Sequence, residues 1–270
     1  MYEKINQTTT YIRTKTDFNP QIGIVLGSGL GNLGNQIEEI ASISYSDIPN
    51  FPVSTVKGHQ GRLVFGKLGG KNVVAMQGRF HFYEGYSMKD ISFPIRVMKE
   101  LGIKLLILSN AAGGMNPDFK VGDIMIINDH INLFPDNPLM GHNDERLGPR
   151  FPDMSEIYDR KLIAKSIEIA EKNNLKVHQG VYVGTSGPTF ETPAEYKFFR
   201  IIGGDTVGMS TVPEAIIARH AGIPVFAASI VTDLGVEGIV ENVSHEEVLA
   251  AARAAEPKLT LIIKELLEGI

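Results

Sequence analysis

What most constrains this sequence is an alternation that runs its whole length: short apolar runs stop abruptly at glycine-rich turns, and stretches of helical periodicity separate them. Ile22–Leu26 is such a run and ends in Gly27-Ser28-Gly29. An apolar run of that length bounded by glycine reads as a buried strand feeding a loop. Arg62–Leu68 and Asn72–Gln77 flank Gly69-Gly70, a hairpin signal. Lys104–Leu108 reads as a buried strand leading into Ser109-Asn110-Ala111-Ala112-Gly113-Gly114, and Asp123–Ile131 and Val177–Val183 are strand-like. Ile91–Leu101, stopped by Gly102, and Asp159–Asn173 carry helical spacing. Thr192 with Glu195, and Ser244 with Glu247, form capping boxes that open two more helices, the second reaching about Glu268. Leu133–Ser155 is a long loop rich in Pro, Gly and Asp, a type usually tied to function or an interface. No linker or repeat interrupts the pattern. The expectation is an α/β fold: a single domain over residues 1–270, with a mixed central sheet flanked by helices.

Composition removes several function classes. The chain has 270 residues, 43% of them hydrophobic, enough to bury a sizeable core. A net charge of -5 without a Lys/Arg run argues against a nucleic-acid partner. The absence of Cys excludes disulfides, thiolate metal sites and a Cys nucleophile. Met1–Thr16 is polar and unlike a signal peptide, and no apolar run approaches the ~18 residues of a membrane span. A soluble, cytoplasmic protein is expected.

Four stretches carry chemistry. In Gly27-Ser28-Gly29-Leu30-Gly31 the glycines let backbone amides approach an anion, and Ser28 adds a hydroxyl. Gly29-Leu30-Gly31-Asn32-Leu33-Gly34 also matches the dinucleotide pattern G-x-G-x-x-G. That reading needs an acidic residue closing a second parallel strand ~20 residues on, whereas Ser46-Asp47-Ile48-Pro49 reads as a turn. In Arg79-Phe80-His81-Phe82-Tyr83-Glu84, an extended chain puts Arg79, His81 and Tyr83 on one face. Arg offers a planar fork of donors suited to phosphate. In Gly208-Met209-Ser210-Thr211-Val212-Pro213-Glu214, Pro213 marks a first helical turn, with Ser210 just ahead of it, where free amides favour an anion or a plain cap. In Gly187-Pro188-Thr189-Phe190-Glu191-Thr192, an aromatic stands beside a carboxylate outside a helix start, suited to stacking on a heterocycle and binding its N–H, or to the helix terminus alone. His130, His142, His178 and His220 show no ligand spacing, so no metal is expected.

Together with Gly58-His59-Gln60-Gly61, Asn110-Ala111-Ala112-Gly113, Asn143-Asp144-Glu145-Arg146 and His245-Glu246-Glu247-Val248, these stretches resemble the trimeric family of purine nucleoside phosphorylases, in family order over nearly the whole chain. The resemblance implies phosphate held by Ser28, Arg79, His81, Ser210 and the Ala111 backbone N–H, with His59 close by. It implies ribose against Tyr83, Met209 and His245. The base would lie against Phe190 and Val207, with Glu191 and the Thr232-Asp233 position at its polar edge. Catalytic roles then fall on His81, Glu191 and Asp233. Phe151 would close the neighbouring subunit's site in a homotrimer. Purine nucleoside and inorganic phosphate are the implied partners, with no cofactor. Neither a G-x-S-x-G nucleophile elbow nor a protein nucleophile is required.

One position departs from the family pattern. Many members have Asn where Ile230-Val231-Thr232-Asp233-Leu234 places Asp233. An ionised Asp only accepts hydrogen bonds; a protonated one also donates. Methylthioadenosine phosphorylases, which are related, carry Asp there, so an adenosine-type substrate stays open. Glu191, an acceptor for the N1–H of hypoxanthine or guanine, and His245, suited to a 5′-hydroxyl, point to inosine and guanosine instead.

Overall fold

The computed structural model describes residues 1–28, 30–53, 55, 60–236 and 244–270. Its centre is a nine-stranded mixed sheet in the order β2-β3-β4-β1-β5-β8-β7-β6-β9. The strands are β1 (Ile22–Leu26), β2 (Glu38–Ser44), β3 (Arg62–Leu68), β4 (Lys71–Gln77), β5 (Leu105–Gly114), β6 (Ile124–Asn132), β7 (Val177–Gly184), β8 (Thr206–Gly208) and β9 (Val225–Leu234). β5 also pairs with β9, so β5, β8, β7, β6 and β9 close into a ring. β4, β1, β5 and β9 run parallel, which brings the carboxyl ends of four strands to one edge. Ligands of α/β sheets bind at such edges.

The helices are α1 (Tyr2–Lys15), α2 (Gly31–Asn35), α3 (Met88–Leu101), α4 (Arg160–Lys172), α5 (Pro193–Ile201), α6 (Val212–His220) and α7 (His245–Glu268). α3 packs on α1 and α6, while α7 packs on α2, α4 and β9. Every residue of β1 is buried, which explains its unbroken apolar run: a parallel strand covered on both faces has no polar side to present. The capping boxes at Thr192 and Ser244 form as the sequence indicates, and a further one at Ser87 starts α3 ahead of its apolar stripe. Side-chain caps of this kind contribute about 1 kcal/mol each.

The structure corrects some local expectations. The strand expected over Lys104–Leu108 runs on through Ser109–Gly114, which pairs with β9 across a register shift between Ala112 and Gly113. Arg79, His81 and Tyr83 do not share one extended strand, because Phe82–Glu84 is a turn of 3-10 helix. β2 pairs antiparallel with β3, and Asp47 sits in a 3-10 turn, so the dinucleotide geometry is absent there. Among the described residues, no helix is long and apolar enough to cross a membrane.

Candidate active site

At the common strand edge lies a partly open cavity. Its wall includes Ser28, from the turn after β1, and Arg79 and His81, which follow β4. Tyr83 comes from the 3-10 turn and Asn110 and Ala111 from β5. Val207, Met209 and Ser210 arrive with β8 and the approach to α6. Phe190 and Glu191 precede α5, Thr232 and Asp233 end β9, and His245 opens α7. His59 lies outside the described residues. Phe151 does not line this cavity; it stands 87% exposed in the long loop before α4, beside His130 and Arg150.

One polar cluster is built around Arg79. Its side chain is almost wholly buried, and Nη1 donates to the Ser109 carbonyl and to the Ser210 hydroxyl, both at 2.9 Å. Nε stands 3.1 Å from Oε1 of Glu214, itself buried on α6. A buried guanidinium requires such a counter-charge. Gly27 permits the approach of the neighbouring turn, since a Cβ there would meet the Ser109 carbonyl oxygen at 2.7 Å. Thr211 sits at φ 71°, a left-handed conformation that strains a β-branched residue. Asn110 Nδ2 donates to its hydroxyl at 2.8 Å and so helps hold it there. Neither Ser210 nor Thr211 caps α6 through its side chain, so the plain-cap alternative for this stretch does not hold.

His81 completes that cluster. Glu84 Oε1 accepts from the His81 backbone N–H at 2.7 Å and lies 3.0 Å from ring Nδ1. The ring stacks on Tyr83 with centroids 4.7 Å apart. Burial pushes the imidazole below its ordinary pKa, which the Glu84 bond only partly offsets, so neutral imidazole is favoured. Burial alone would raise Glu84, but hydrogen bonds from His81 and Thr55 outweigh it and bring its pKa to about 2. A neutral His81 with Nδ1–H committed to Glu84 presents Nε2 as an acceptor.

A second cluster joins Glu191 and Asp233. Asp233 Oδ1 accepts from Thr232 Oγ1 at 2.9 Å, and Oδ2 accepts from the Tyr196 hydroxyl at 3.2 Å. Burial raises the pKa of Asp233 against both bonds. Burial also raises Glu191, and the nearby Asp233 charge adds to it. Asp233 lies within β9, so it is not a helix cap, and the cap of α5 is Thr192 rather than Glu191. The sequence reading had not singled out Tyr196, Glu84 or Glu214. Glu84 had a signal in its spacing from His81, as a cap and its third helical residue, whereas the other two meet their partners only through the fold.

Two of the histidines outside the cavity have side-chain partners of their own: His130 Nδ1 lies 2.9 Å from the Tyr158 hydroxyl and His178 Nε2 2.8 Å from Asp123 Oδ2. Among the described residues, no group of three or more His, Cys, Asp or Glu is arranged to hold a metal ion.

The sequence profile of the Phosphorylase superfamily matches residues 21–268. Purine nucleoside phosphorylase 1 of Geobacillus stearothermophilus is 49% identical over 266 residues, covering 98% of this chain and 97% of that one. Purine nucleoside phosphorylase of Rattus norvegicus is 49% identical over 278 residues, covering 100% and 96%. The crystal structure of Schistosoma mansoni purine nucleoside phosphorylase in complex with adenosine superposes with a TM-score of 0.94 at 46% identity, covering 99% of this chain and 97% of that one.

Proposed function

Because the chain belongs to the phosphorylase superfamily and, like its purine nucleoside phosphorylase relatives, splits purine nucleosides with inorganic phosphate, we propose that the strand-edge cavity is where it does so. The observation that carries this reading is the gathering of two polar clusters in one cavity wall: Arg79, His81 and Ser210 in one, Glu191 and Asp233 in the other. The first suits an oxyanion and the second the hydrogen-bonding edge of a purine.

In this reading phosphate is held by Ser28, Arg79, His81, Ser210 and the Ala111 N–H, with neutral His81 accepting from a phosphate hydroxyl. Tyr83, Met209 and His245 face the ribose, and Phe190 and Val207 face the base. As the C1′–N9 bond breaks, its electron pair leaves with the purine and the sugar becomes oxocarbenium-like. The phosphate beneath stabilises that charge, and one of its oxygens then bonds to C1′. Asp233 supplies a hydrogen at the purine's N7 and 6-position edge, while Glu191 accepts from N1–H. Placed donors and charges of this type account for most of the rate gain in such reactions. The geometry asks for no paired carboxylates about the sugar, unlike glycoside hydrolysis.

The preferred substrates are inosine and guanosine, because Glu191 complements an N1–H and adenine offers none. A second reading, with adenosine as substrate, is favoured by Asp233, whose ionised form accepts from a 6-amino group. The same proposal takes residues 1–270 as one catalytic domain and the assembly as a cytoplasmic homotrimer without cofactor. Phe151, exposed on its own chain, would close the neighbour's cavity.

The test is base release from inosine, guanosine, adenosine and methylthioadenosine. Release from inosine and guanosine well above the other two supports the preference, and a dominant methylthioadenosine rate overturns it.

A further inference from the structure

Helix α2 is a weak element next to a turn of the cavity wall. It is five residues long, Gly31-Asn32-Leu33-Gly34-Asn35, and two of the five are glycine. So short a helix has little stability of its own, and glycine lowers it further. Its N-cap is Leu30, whose side chain offers no acceptor to the free N–H groups of the first turn. The turn just ahead, closed by the Leu30 N–H on the Gly27 carbonyl at 3.1 Å, carries Ser28.

The missing cap arrives from the far end of the chain. Glu256, on α7, is 2% exposed. Its Oε1 accepts from the Leu33 backbone N–H at 3.0 Å, and its Oε2 accepts from the Asn32 side-chain amide at 2.8 Å. Burial raises the pKa of this carboxyl, while the bonds from Leu33 and Asn32 and the charge of Arg253 oppose the rise. A carboxyl is costly to bury unless its oxygens are used, and here each is used on α2. Gly34 completes the seat: a Cβ on it would collide with the Gln77 amide at the end of β4. The same α7 reaches the cavity, where His245 and Val248 line the wall. Glu256 lies about three turns beyond His245, along the same side of the helix.

We propose that Glu256 is a positioning residue for phosphate binding, which caps α2 from α7 and so fixes Ser28 in the cavity wall. This rests on the placement of phosphate at Ser28. Glu256 does not line the cavity and acts only through α2 and the turn ahead of it. Without its carboxyl, the Leu33 N–H is left buried without an acceptor, and α2 has nothing to hold its first turn against the Ser28 turn.

The experiment measures kcat and the KM of phosphate and of inosine in the wild type, Glu256→Gln, Glu256→Met, Asn32→Ala, Ser28→Ala and Ser28→Ala combined with Glu256→Gln. Gln keeps one acceptor for α2 and Met keeps none, both at nearly the volume of Glu. Phosphate KM is expected to rise about tenfold in Glu256→Met and less in Glu256→Gln, with inosine KM and kcat at saturating phosphate unchanged. In the Ser28→Ala background, Glu256→Gln should raise phosphate KM no further. A merely structural Glu256 would lower the folded fraction, and with it kcat, at a wild-type phosphate KM; that result overturns the proposal. So does a phosphate effect that adds in full to that of Ser28→Ala. If the Glu256 variants do not fold, Asn32→Ala, at an exposed position, removes the Oε2 bond alone and carries the same comparison. A wild-type phosphate KM there overturns the proposal as well. If Ser28→Ala itself leaves phosphate KM at the wild-type value, the placement of phosphate has failed and the proposal with it.

Discussion

Arg79 and Ser210 are 131 residues apart in the chain, yet the guanidinium Nη1 donates to the serine hydroxyl at 2.9 Å. The bond ties the segment after β4 to the segment before α6, and with the Glu214 ion pair it fixes a cation in the cavity wall. That arrangement gives Arg79 a structural role beside its proposed place in the phosphate site.

Arg79→Met should therefore destabilise the fold by about 3–5 kcal/mol, because Glu214 is left buried without its cation. Arg79→Met combined with Glu214→Gln should recover most of that stability in urea titrations. The phosphate KM should remain strongly raised in both. If the double variant regained phosphate affinity, Arg79 would have no place in the phosphate site.

Ser210→Ala removes one hydroxyl, while Arg79 Nη1 keeps the Ser109 carbonyl as acceptor. Hydrogen bonds to charged groups contribute about 1.5–3 kcal/mol, so phosphate KM should rise roughly 10- to 100-fold. The nucleoside KM should change much less. Steady-state kinetics with each substrate varied in turn separates the two, and an unchanged phosphate KM would remove Ser210 from the site.

Asp233→Asn should retain inosine cleavage, since an amide still presents a donor to a 6-oxo group. Any adenosine cleavage should fall about tenfold with the loss of the charged acceptor. Equal adenosine rates in the two proteins would contradict the assigned position of Asp233 at the base.

Stability should fall as the medium is acidified below neutrality. Burial lowers His130 from 6.5 to about 4 and also lowers His81. For a group depressed in the folded state, stability is fully present above the unfolded value. It is lost as pH falls through the folded one, because the unfolded chain takes up the proton first. For His130 the window runs from 6.5 down to about 4 and is worth about 3 kcal/mol across its full extent. Thermal melts at intervals through this range should show the slope, reduced in His130→Asn. An equal slope in that variant would show that His130 titrates normally in the folded protein.

Much of the fold was legible because apolar runs and glycine stops record burial directly. β1, the β3–β4 hairpin, α4 and the capped starts of α5 and α7 all lie where the pattern puts them. The pattern was silent where burial is partial: α1 buries only Ile5, Thr8, Thr9 and Ile12 of a polar segment, and β2 is an almost wholly exposed edge strand. Ser109–Gly114 was hidden for another reason, since small residues in a strand that lines a cavity resemble a loop. The cavity-wall residues next to glycine-rich turns were legible. Tyr196 was not, because its partner lies 37 residues away and no local spacing marks the contact.

The most direct measurement identifies the sugar product. Inosine incubated with the protein and oxygen-18-labelled phosphate should give ribose 1-phosphate that retains the label in its C1–O–P bridge, with one hypoxanthine per sugar phosphate and no turnover when phosphate is withheld. Free ribose as the product, or hypoxanthine released at the same rate without phosphate, would contradict an attacking phosphate held by Arg79, His81 and Ser210.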